Sequence, residues 1–260
     1  MKTSSYYCSV TRNSLNWESS LLSEPPNSYL GSGPFAQDPN LFSAELLESF
    51  DYWMGTGRLL VAGAFQEGQT KKRVYFPQAY PGDVTPYIRV STDIQESYPA
   101  GIWAEIDLPL AEFAIFARAG AVIPFGKDHV TVTRNEGIAK TCVGGTEVQV
   151  GNETDKGVSL DDYRGIEIFP PADASADFHG EGSWIEDDGV SRKPTTTIVK
   201  VEYRVAGDEI EVEAKFVKRD FEVAWGTELW VCMPKGDTRV VKGGEKSTRK
   251  GRQAYKIVVQ

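Results

Sequence analysis

The 260-residue sequence has few cysteines and histidines, and this scarcity argues against several kinds of site. The cysteines, Cys8, Cys142 and Cys232, are odd in number and widely spaced, so they indicate neither a disulfide framework nor a zinc cluster. We expect buried or unreactive thiols. The two histidines, His129 and His179, have no serine or cysteine nucleophile motif beside them, so neither is assigned as a general base.

Long apolar runs and excess positive charge are also missing. No run reaches the roughly 18 apolar residues of a membrane-spanning helix, and the N-terminus lacks the basic and apolar regions of a signal peptide. Acidic residues outnumber basic ones by 37 to 28, which gives a net charge of −9. Because such a chain repels phosphates and anionic lipid, we expect neither nucleic acid nor a membrane as a partner.

The residue types that are abundant favour strands. Aromatic residues make up 11% of the chain, and 25 glycines and 14 prolines punctuate it, a composition typical of many short strands separated by turns. A chain of this length has room for two small domains. The composition therefore predicts a mainly β protein.

Alternating charged and apolar residues mark individual strands, most clearly over 200–216, where one face should be wet and the other packed. Residues 206–208 (Ala-Gly-Asp) and 234–237 (Pro-Lys-Gly-Asp) have the composition of turns. We predict an exposed loop over 242–251. The predicted strands are 72–76, 113–123, 130–133, 147–150, 165–169, 198–205, 209–216, 229–233 and 254–259.

The N-terminal part of the sequence has a different residue pattern. Residues 1–36 are rich in Ser, Asn and Pro without periodicity, which predicts a loop or poorly ordered chain. Apolar residues at helical spacing predict one short helix over 43–54, capped by Ser43. The apolar run within 58–65 predicts a strand covered on both faces, as in the centre of a parallel barrel, with partners that the chain itself does not contain.

The densest acidic cluster is Glu186-Asp187-Asp188, followed by Gly189. Consecutive strand residues point to opposite faces, so these carboxylates are poorly placed to flank one glycosidic bond. The spacing also lacks the alternate ligands of an EF-hand loop. Of three interpretations, a tight turn in which Asp187 or Asp188 accepts backbone hydrogen bonds is preferred to a metal site or a catalytic role.

Two further groups of residues are candidates for ligand sites. Glycines at 55 and 57 and at 144 and 145 do not match a phosphate-binding loop. Tryptophans could form a sugar-stacking platform, although packing in the core is preferred. They are Trp17, Trp53, Trp103, Trp184, Trp225 and Trp230. We assign no catalytic residue, no cofactor-binding residue and no metal ligand.

Four segments resemble glycoside hydrolase family 31, the α-glucosidase and α-xylosidase family, in order and spacing. They are 50–65 (FDYWMGTGRLLVAGAF), 73–77 (RVYFP), 108–124 (LPLAEFAIFARAGAVIP) and 182–191 (GSWIEDDGVS). The resemblance implies a mainly β fold, with two antiparallel β-sandwich domains preceded by a remnant of a (β/α)8 barrel. The implied boundaries are 1–36 unassigned and poorly ordered, 37–66 the last barrel helix and strand, 67–127 a proximal β-sandwich and 128–260 a distal β-sandwich.

The same resemblance implies the function of an accessory portion. The family's reaction is retaining hydrolysis of α-glucosidic or related bonds by two carboxylates, and their motifs do not occur in this chain. We therefore expect non-catalytic C-terminal β-domains that pack against a catalytic barrel and meet carbohydrate through the parent enzyme, without a cofactor. The alternatives are a free-standing carbohydrate-binding module and a nonfunctional truncated product.

Overall fold

The computed structural model describes residues 35, 37–47, 49, 51–55, 58–90, 92–108, 114–126, 133–135, 138–143, 146–149, 163–174, 177–188, 191–249 and 252–260. These residues form a mainly β structure, which confirms the prediction from composition. Among them, none of the helices has the length and apolar composition that crossing a membrane requires.

The strands are numbered in chain order. They are β1 (Tyr52–Met54), β2 (Leu59–Ala62), β3 (Lys71–Phe76), β4 (Tyr87–Arg89), β5 (Ser97–Tyr98), β6 (Ile102–Asp107), β7 (Ala114–Arg118), β8 (Val122–Phe125), β9 (Thr133–Asn135), β10 (Ile138–Val143), β11 (Thr146–Gln149), β12 (Gly165–Ile168), β13 (His179–Glu186), β14 (Thr197–Ala206), β15 (Glu209–Arg219), β16 (Glu228–Cys232), β17 (Val240–Val241), β18 (Glu245–Arg249) and β19 (Arg252–Val258).

Two short helical segments precede the strands, a 3-10 helix over Pro39–Phe42 and helix α1 over Ala44–Leu47. Ser43 caps α1 as predicted, since its Oγ accepts the Leu46 N–H at 3.3 Å. The prediction that the helix continues to residue 54 is wrong. Strand β1 occupies that stretch, with Trp53 opposite Leu60 of β2. Pairing within a sheet outweighs helical spacing here because a helix this short has little stability of its own.

The first unit consists of a five-stranded sheet, in the order β1-β2-β7-β4-β5, and the two-stranded sheet β3-β6. All four residues of β2 are buried, so the prediction of cover on both faces is confirmed. Its neighbours β1 and β7, however, are antiparallel and belong to this chain. The expected parallel barrel strand with missing partners is therefore wrong, because a central antiparallel strand buried on both faces is equally apolar.

Aromatic rings fill the core of the first unit. Phe35 lies 4.8 Å from Trp53 between ring centroids, and Phe76 lies 5.5 Å from Tyr87 and 4.9 Å from Phe116. Each of these side chains is at most 2% exposed. Phe35 falls within the N-terminal stretch predicted to be poorly ordered, whose other residues lie outside the described part of the chain.

The second unit consists of two sheets, in the orders β18-β19-β16-β12-β8 and β13-β14-β15-β17, which share one hydrophobic core. Ile166 and Val231 enter this core from the first of these sheets, and Val201 and Ile210 enter it from the other. Strand β14 alternates between buried and more exposed residues, which confirms the predicted wet and packed faces. A third, three-stranded sheet has the order β11-β10-β9.

Most predicted strands of the second unit correspond to β12, β14, β15, β16 and β19. The connection over 206–208 is the predicted hairpin turn, with Gly207 at a φ of 67°. In the turn over 234–237, the Asp237 N–H donates to the Pro234 carbonyl. Of 130–133 only Thr133 is described, and it lies on β9; the predicted strand over 147–150 overlaps β11.

Two strand predictions need correction. The single strand over 113–123 is in fact β7 and β8, separated by a turn at Gly120, whose φ is 90°. The exposed loop over 242–251 contains β18, which pairs with β19 at the edge of its sheet. Edge strands commonly carry charged residues, so a charge-rich composition does not distinguish them from loops.

Candidate functional site

A cleft of about 720 Å³, the junction cleft, lies where the first unit meets strands β13, β14 and β15 of the second. One wall is formed by Arg58 at the start of β2 and Arg118 at the end of β7. The floor is the face of β13–β15 that points away from the hydrophobic core. It is a polar concave surface at the joint between two folded units, a common location for a ligand site.

Close backbone packing holds this joint together. The Glu181 N–H donates to the Gly120 carbonyl at 3.1 Å, and the Gly120 N–H donates to the Phe169 carbonyl at 2.9 Å. A Cβ at Gly180 would lie 2.6 Å from the Gly120 oxygen, and one at Gly182 would lie 2.6 Å from the Val122 Cβ. The two glycines therefore allow the connection between β7 and β8 to lie directly along the edge of β13.

The wall carries two arginines at neighbouring positions of paired strands. The Arg118 N–H donates to the Arg58 carbonyl at 2.9 Å, one position beyond the pair Leu59 and Ala117, so the arginines are cross-strand neighbours. Arg118 forms an ion pair with Asp83. Arg58 donates from Nη1 to the Glu181 backbone carbonyl. Like charges in such positions destabilise a sheet.

Burial sets the electrostatics of this wall. It lowers the pKa of Arg58, opposed by the nearby Glu181 carboxylate. Burial alone would raise the pKa of Asp83, but hydrogen bonds from Thr85 and the Ala79 backbone, together with Arg118, hold it below its usual range. The positive charge of Arg58 is therefore the less compensated of the two.

The floor is lined with carboxylates in register. Glu181, Glu202 and Glu213 lie directly opposite one another on the three strands. Lys200 Nζ lies 2.5 Å from Glu202 Oε1, and the hydrogen bond that Lys200 donates lowers the pKa of Glu202. Within the described ranges, no three His, Cys, Asp or Glu side chains form a group that could hold a metal ion. The oxygens of these side chains are hydrogen-bond acceptors.

The neighbouring row of the floor contains His179, Arg204 and Glu211, again directly opposite one another. Lys242 Nζ lies 2.7 Å from Glu211 Oε1, and this hydrogen bond lowers the pKa of Glu211. His179 is exposed at the start of β13. The row adds donors and acceptors to the floor, so the cleft suits binding of a polar molecule.

The acidic cluster singled out in the sequence lies at the end of β13, outside this cleft. Glu186 is 4% exposed and forms a bidentate pair with Arg164, with Nε to Oε1 at 2.5 Å and Nη2 to Oε2 at 2.6 Å. The Asp188 carboxylate accepts the Ser191 N–H at 2.9 Å, which is the predicted turn interaction. Gly189 lies outside the described residues. The cluster holds the local backbone in place.

The described tryptophans favour the core interpretation. Trp53, Trp184 and Trp225 are 2%, 3% and 5% exposed. The half-buried Trp103 has the Arg73 guanidinium 4.8 Å from its ring centroid, and the Trp230 ring stacks on Tyr163 at 6.2 Å. Trp17 lies outside the described residues.

Other singled-out residues are mostly structural or lie outside the described part. Cys232 is buried, as expected. Cys8, His129, Gly57, Gly144 and Gly145 lie outside the described residues, and Cys142 lies on β10. Sequence reasoning did not identify the junction cleft, because its two arginines are 60 positions apart and meet only through β2–β7 pairing. The spacing of Gly180 and Gly182 was the available signal of close packing.

Residues 34–123 match the family model described as "Glycosyl hydrolase family 31 C-terminal domain". The matched range includes all of 37–66, so the assignment of those residues to a barrel has no support from it. A search of curated proteins finds no match.

Several solved structures are similar to this chain. A dextranase of family 31 from Flavobacterium johnsoniae, complexed with glucose, has a TM-score of 0.54 and 14% identity over 84% of this chain and 26% of its own. A family 31 α-xylosidase from Xanthomonas citri has a TM-score of 0.50 and 16% identity over 86% and 20%. An α-1,4-glucan lyase from Gracilariopsis lemaneiformis has a TM-score of 0.50 and 18% identity over 84% and 19%.

These identities are low, so the likeness concerns the fold. The chain spans between 19% and 26% of the length of these three proteins.

Proposed function

Because residues 34–123 belong to the C-terminal domain of glycosyl hydrolase family 31, we propose that the chain supplies the C-terminal accessory β-domains of a family 31 α-glycosidase. The family match is the observation that carries the proposal. The proposed domains are a proximal β-sandwich over 67–127 and a distal β-sandwich over 128–260. The pairing of β1 and β2 with β7 supports extending the proximal domain back to Tyr52.

The parent reaction is proposed to be retaining hydrolysis of α-glucosidic or related bonds, with carbohydrate bound by the parent enzyme. A retaining site needs two carboxyl groups about 5–5.5 Å apart on either side of the scissile bond. We propose that this chain does not catalyse the reaction. In support, its buried carboxylates serve structural roles: Glu186 binds Arg164, Asp51 binds Lys72, and Asp83 binds Arg118.

An activity assay tests the non-catalytic role. The purified chain is incubated with aryl α-glucosides and aryl α-xylosides, and release of the aryl group is compared with a heat-killed sample. We expect no turnover above that control. Turnover that persists at constant specific activity through further purification would overturn this part of the proposal.

The second part of the proposal is that these domains pack against a catalytic barrel. It is supported by the short span of the chain relative to the similar enzymes. Reading the DNA upstream of Met1 is expected to reveal a segment that encodes a barrel with the two carboxylate motifs. Co-expression of that segment with the chain should then give one complex on size-exclusion chromatography. An unrelated gene upstream, or two separate elution peaks, would count against it.

A free-standing carbohydrate-binding module is the alternative. Packing of the described tryptophans weakens the idea of a sugar-stacking platform. One feature favours carbohydrate binding, the polar junction cleft, where guanidinium and carboxylate groups could bind hydroxyls. Titration with glucose, followed by chemical-shift changes, would locate such a site.

A further inference from the structure

We propose that the junction cleft binds a sugar acid, with the sugar carboxylate against Arg58 and Arg118 and the sugar hydroxyls against the glutamates of the floor. The inference rests on the carbohydrate role proposed above and adds the chemical class of the ligand.

The arginines place two positive charges at neighbouring positions, and their carboxylate partners differ. They are cross-strand neighbours at the start of β2 and the end of β7, and like charges at such positions repel each other. Only Arg118 has a carboxylate partner, Asp83. Arg58 forms no ion pair with any described residue, and its hydrogen bond goes to a backbone carbonyl. A carboxylate between the two side chains would relieve the repulsion.

Donors remain available on both groups. A guanidinium carries five N–H donors in a planar fork, a geometry that matches a carboxylate. Arg58 uses one Nη to reach Glu181, and the Arg118 side chain is 24% exposed toward the cleft. Since both side chains are partly buried, a charge-assisted hydrogen bond there is stronger than in open solvent.

The floor sets the orientation of the ligand. Its carboxylates repel a ligand carboxylate, so the acid group belongs at the arginine wall. Lys200 and Lys242 already compensate Glu202 and Glu211, at 2.5 Å and 2.7 Å, which limits this repulsion. Their oxygens still accept hydrogen bonds, and hydroxyl groups are the matching donors. A molecule with a carboxylate at one end and hydroxyls at the other fits both surfaces.

The size of the cleft agrees with this ligand class. Its volume of about 720 Å³ lies within the range typical of small-molecule sites, roughly 300–1,000 Å³. A monosaccharide fits within such a volume. The floor is open to solvent, so we expect weak binding that salt weakens further.

Calorimetric titration of the full chain tests the proposal with three probes: sodium glucuronate, glucose and sodium acetate. Glucuronate is expected to bind about tenfold more tightly than either of the others, because only it has both chemical groups. The Arg58→Gln variant keeps an N–H for the Glu181 carbonyl but lacks the charge, and should remove this advantage. Arg73→Gln is the matched control, since Arg73 is exposed on β3 and paired with Glu45 outside the cleft.

Several outcomes would overturn the sugar-acid assignment. Equal affinity for glucuronate and glucose would do so, although it would leave a carbohydrate role in place. Equal affinity for glucuronate and acetate would reduce the site to a carboxylate site. An equal loss in Arg58→Gln and Arg73→Gln, or no sugar binding at all, would also reject it, whatever the association with a barrel shows.

A second measurement is independent of any variant. In the unmodified chain labelled with ¹⁵N, glucuronate should shift the backbone amide signals of 179–181 and 202–204 more than glucose does. These residues border the arginine wall. Shifts confined to another surface, such as the surroundings of Trp103, would contradict the proposed location.

Discussion

The first and second units are both built from strands, but they bury those strands in different ways. Every residue of β2 and β4 in the first unit is buried. In β14 of the second unit, buried residues alternate with more exposed ones over ten residues. The core of the first unit is rich in rings such as Phe76 and Phe116, whereas that of the second is mostly aliphatic.

This difference bears on how strongly each unit constrains its sequence. A strand covered on both faces must fit neighbours at every position, and rings pack only in certain geometries. An alternating strand needs an apolar residue at every second position, which many sequences satisfy. The match to family 31 falls on residues 34–123, which contain the first unit. Recognisable sequence is therefore found where both faces of the strands are buried.

The largest expected loss of stability is at a buried lysine of β3, which can be compared with an exposed lysine beside it. Lys72 is buried with Asp51, with Nζ and Oδ1 2.5 Å apart and side chains 8% and 1% exposed. Burial raises the pKa of Asp51 even though Lys72 opposes the shift. Replacing Lys72 with Met leaves that carboxylate buried without its partner. We expect a loss of roughly 3–5 kcal/mol in the free energy of unfolding, measured with urea.

The matched control is the residue that precedes Lys72 in the chain. Lys71 is 60% exposed and pairs with Glu105 at the surface. Lys71→Met should change stability far less, because exposed ion pairs contribute little. Lys200→Met on β14 should behave like Lys71→Met. Equal losses in Lys71→Met and Lys72→Met would mean that burial of the Lys72 ion pair does not increase its contribution to stability.

The sequence predicted the second unit better than the first. Alternation identified β14 and β15, and the glycine-containing connection identified the hairpin between them. In the first unit, burial of β2 was predicted but its partners were not, because an apolar run carries no information about strand direction. The helical spacing of apolar residues up to Trp53 gave a wrong helix prediction for a related reason. A short apolar pattern can satisfy both the helix period and the strand period.

The junction cleft could not be predicted from the sequence. Its wall depends on the register of β2 with β7, and its floor depends on the register of three strands of the second unit. Register is a property of paired strands. The acidic cluster drew attention instead, yet Glu186 is bound by Arg164 and Asp188 by a turn. A dense local cluster was therefore a poorer indicator of a ligand site than residues that meet through pairing.

The joint between the units gives a smaller expected effect. A Cβ at Gly180 would lie 2.2 Å from the Tyr203 ring and 2.6 Å from the Gly120 oxygen. Gly180→Ala gains a little from a less flexible unfolded chain, but the clash with backbone outweighs that gain. We expect a net loss of about 1–3 kcal/mol on urea unfolding. Ser183→Ala, exposed on the same strand, should be near neutral. A stable Gly180→Ala would show that the units are not closely joined there.

The smallest expected effect contrasts a buried carboxylate of the first unit with a surface carboxylate of the second. Asp83 is 2% exposed, and its pKa lies below the ordinary value of 3.8. A lowered pKa means that its stabilising contribution is complete above pH 3.8 and is lost as the pH falls below that value. Asp83→Asn should therefore lose stability less steeply with acid than the unmodified chain does.

Urea unfolding on both sides of pH 3.8 measures this difference in slope. Asn at position 83 keeps one acceptor oxygen, so the variant removes the charge and retains one of the two contacts with the Ala79 and Thr85 N–H groups. Asp177→Asn is the control, since Asp177 is 83% exposed where it pairs with Arg204, and its curve should follow the unmodified chain. If the curve of Asp83→Asn also follows that of the unmodified chain, the Asp83 carboxylate contributes nothing to acid stability, and burial of charge does not distinguish the two units.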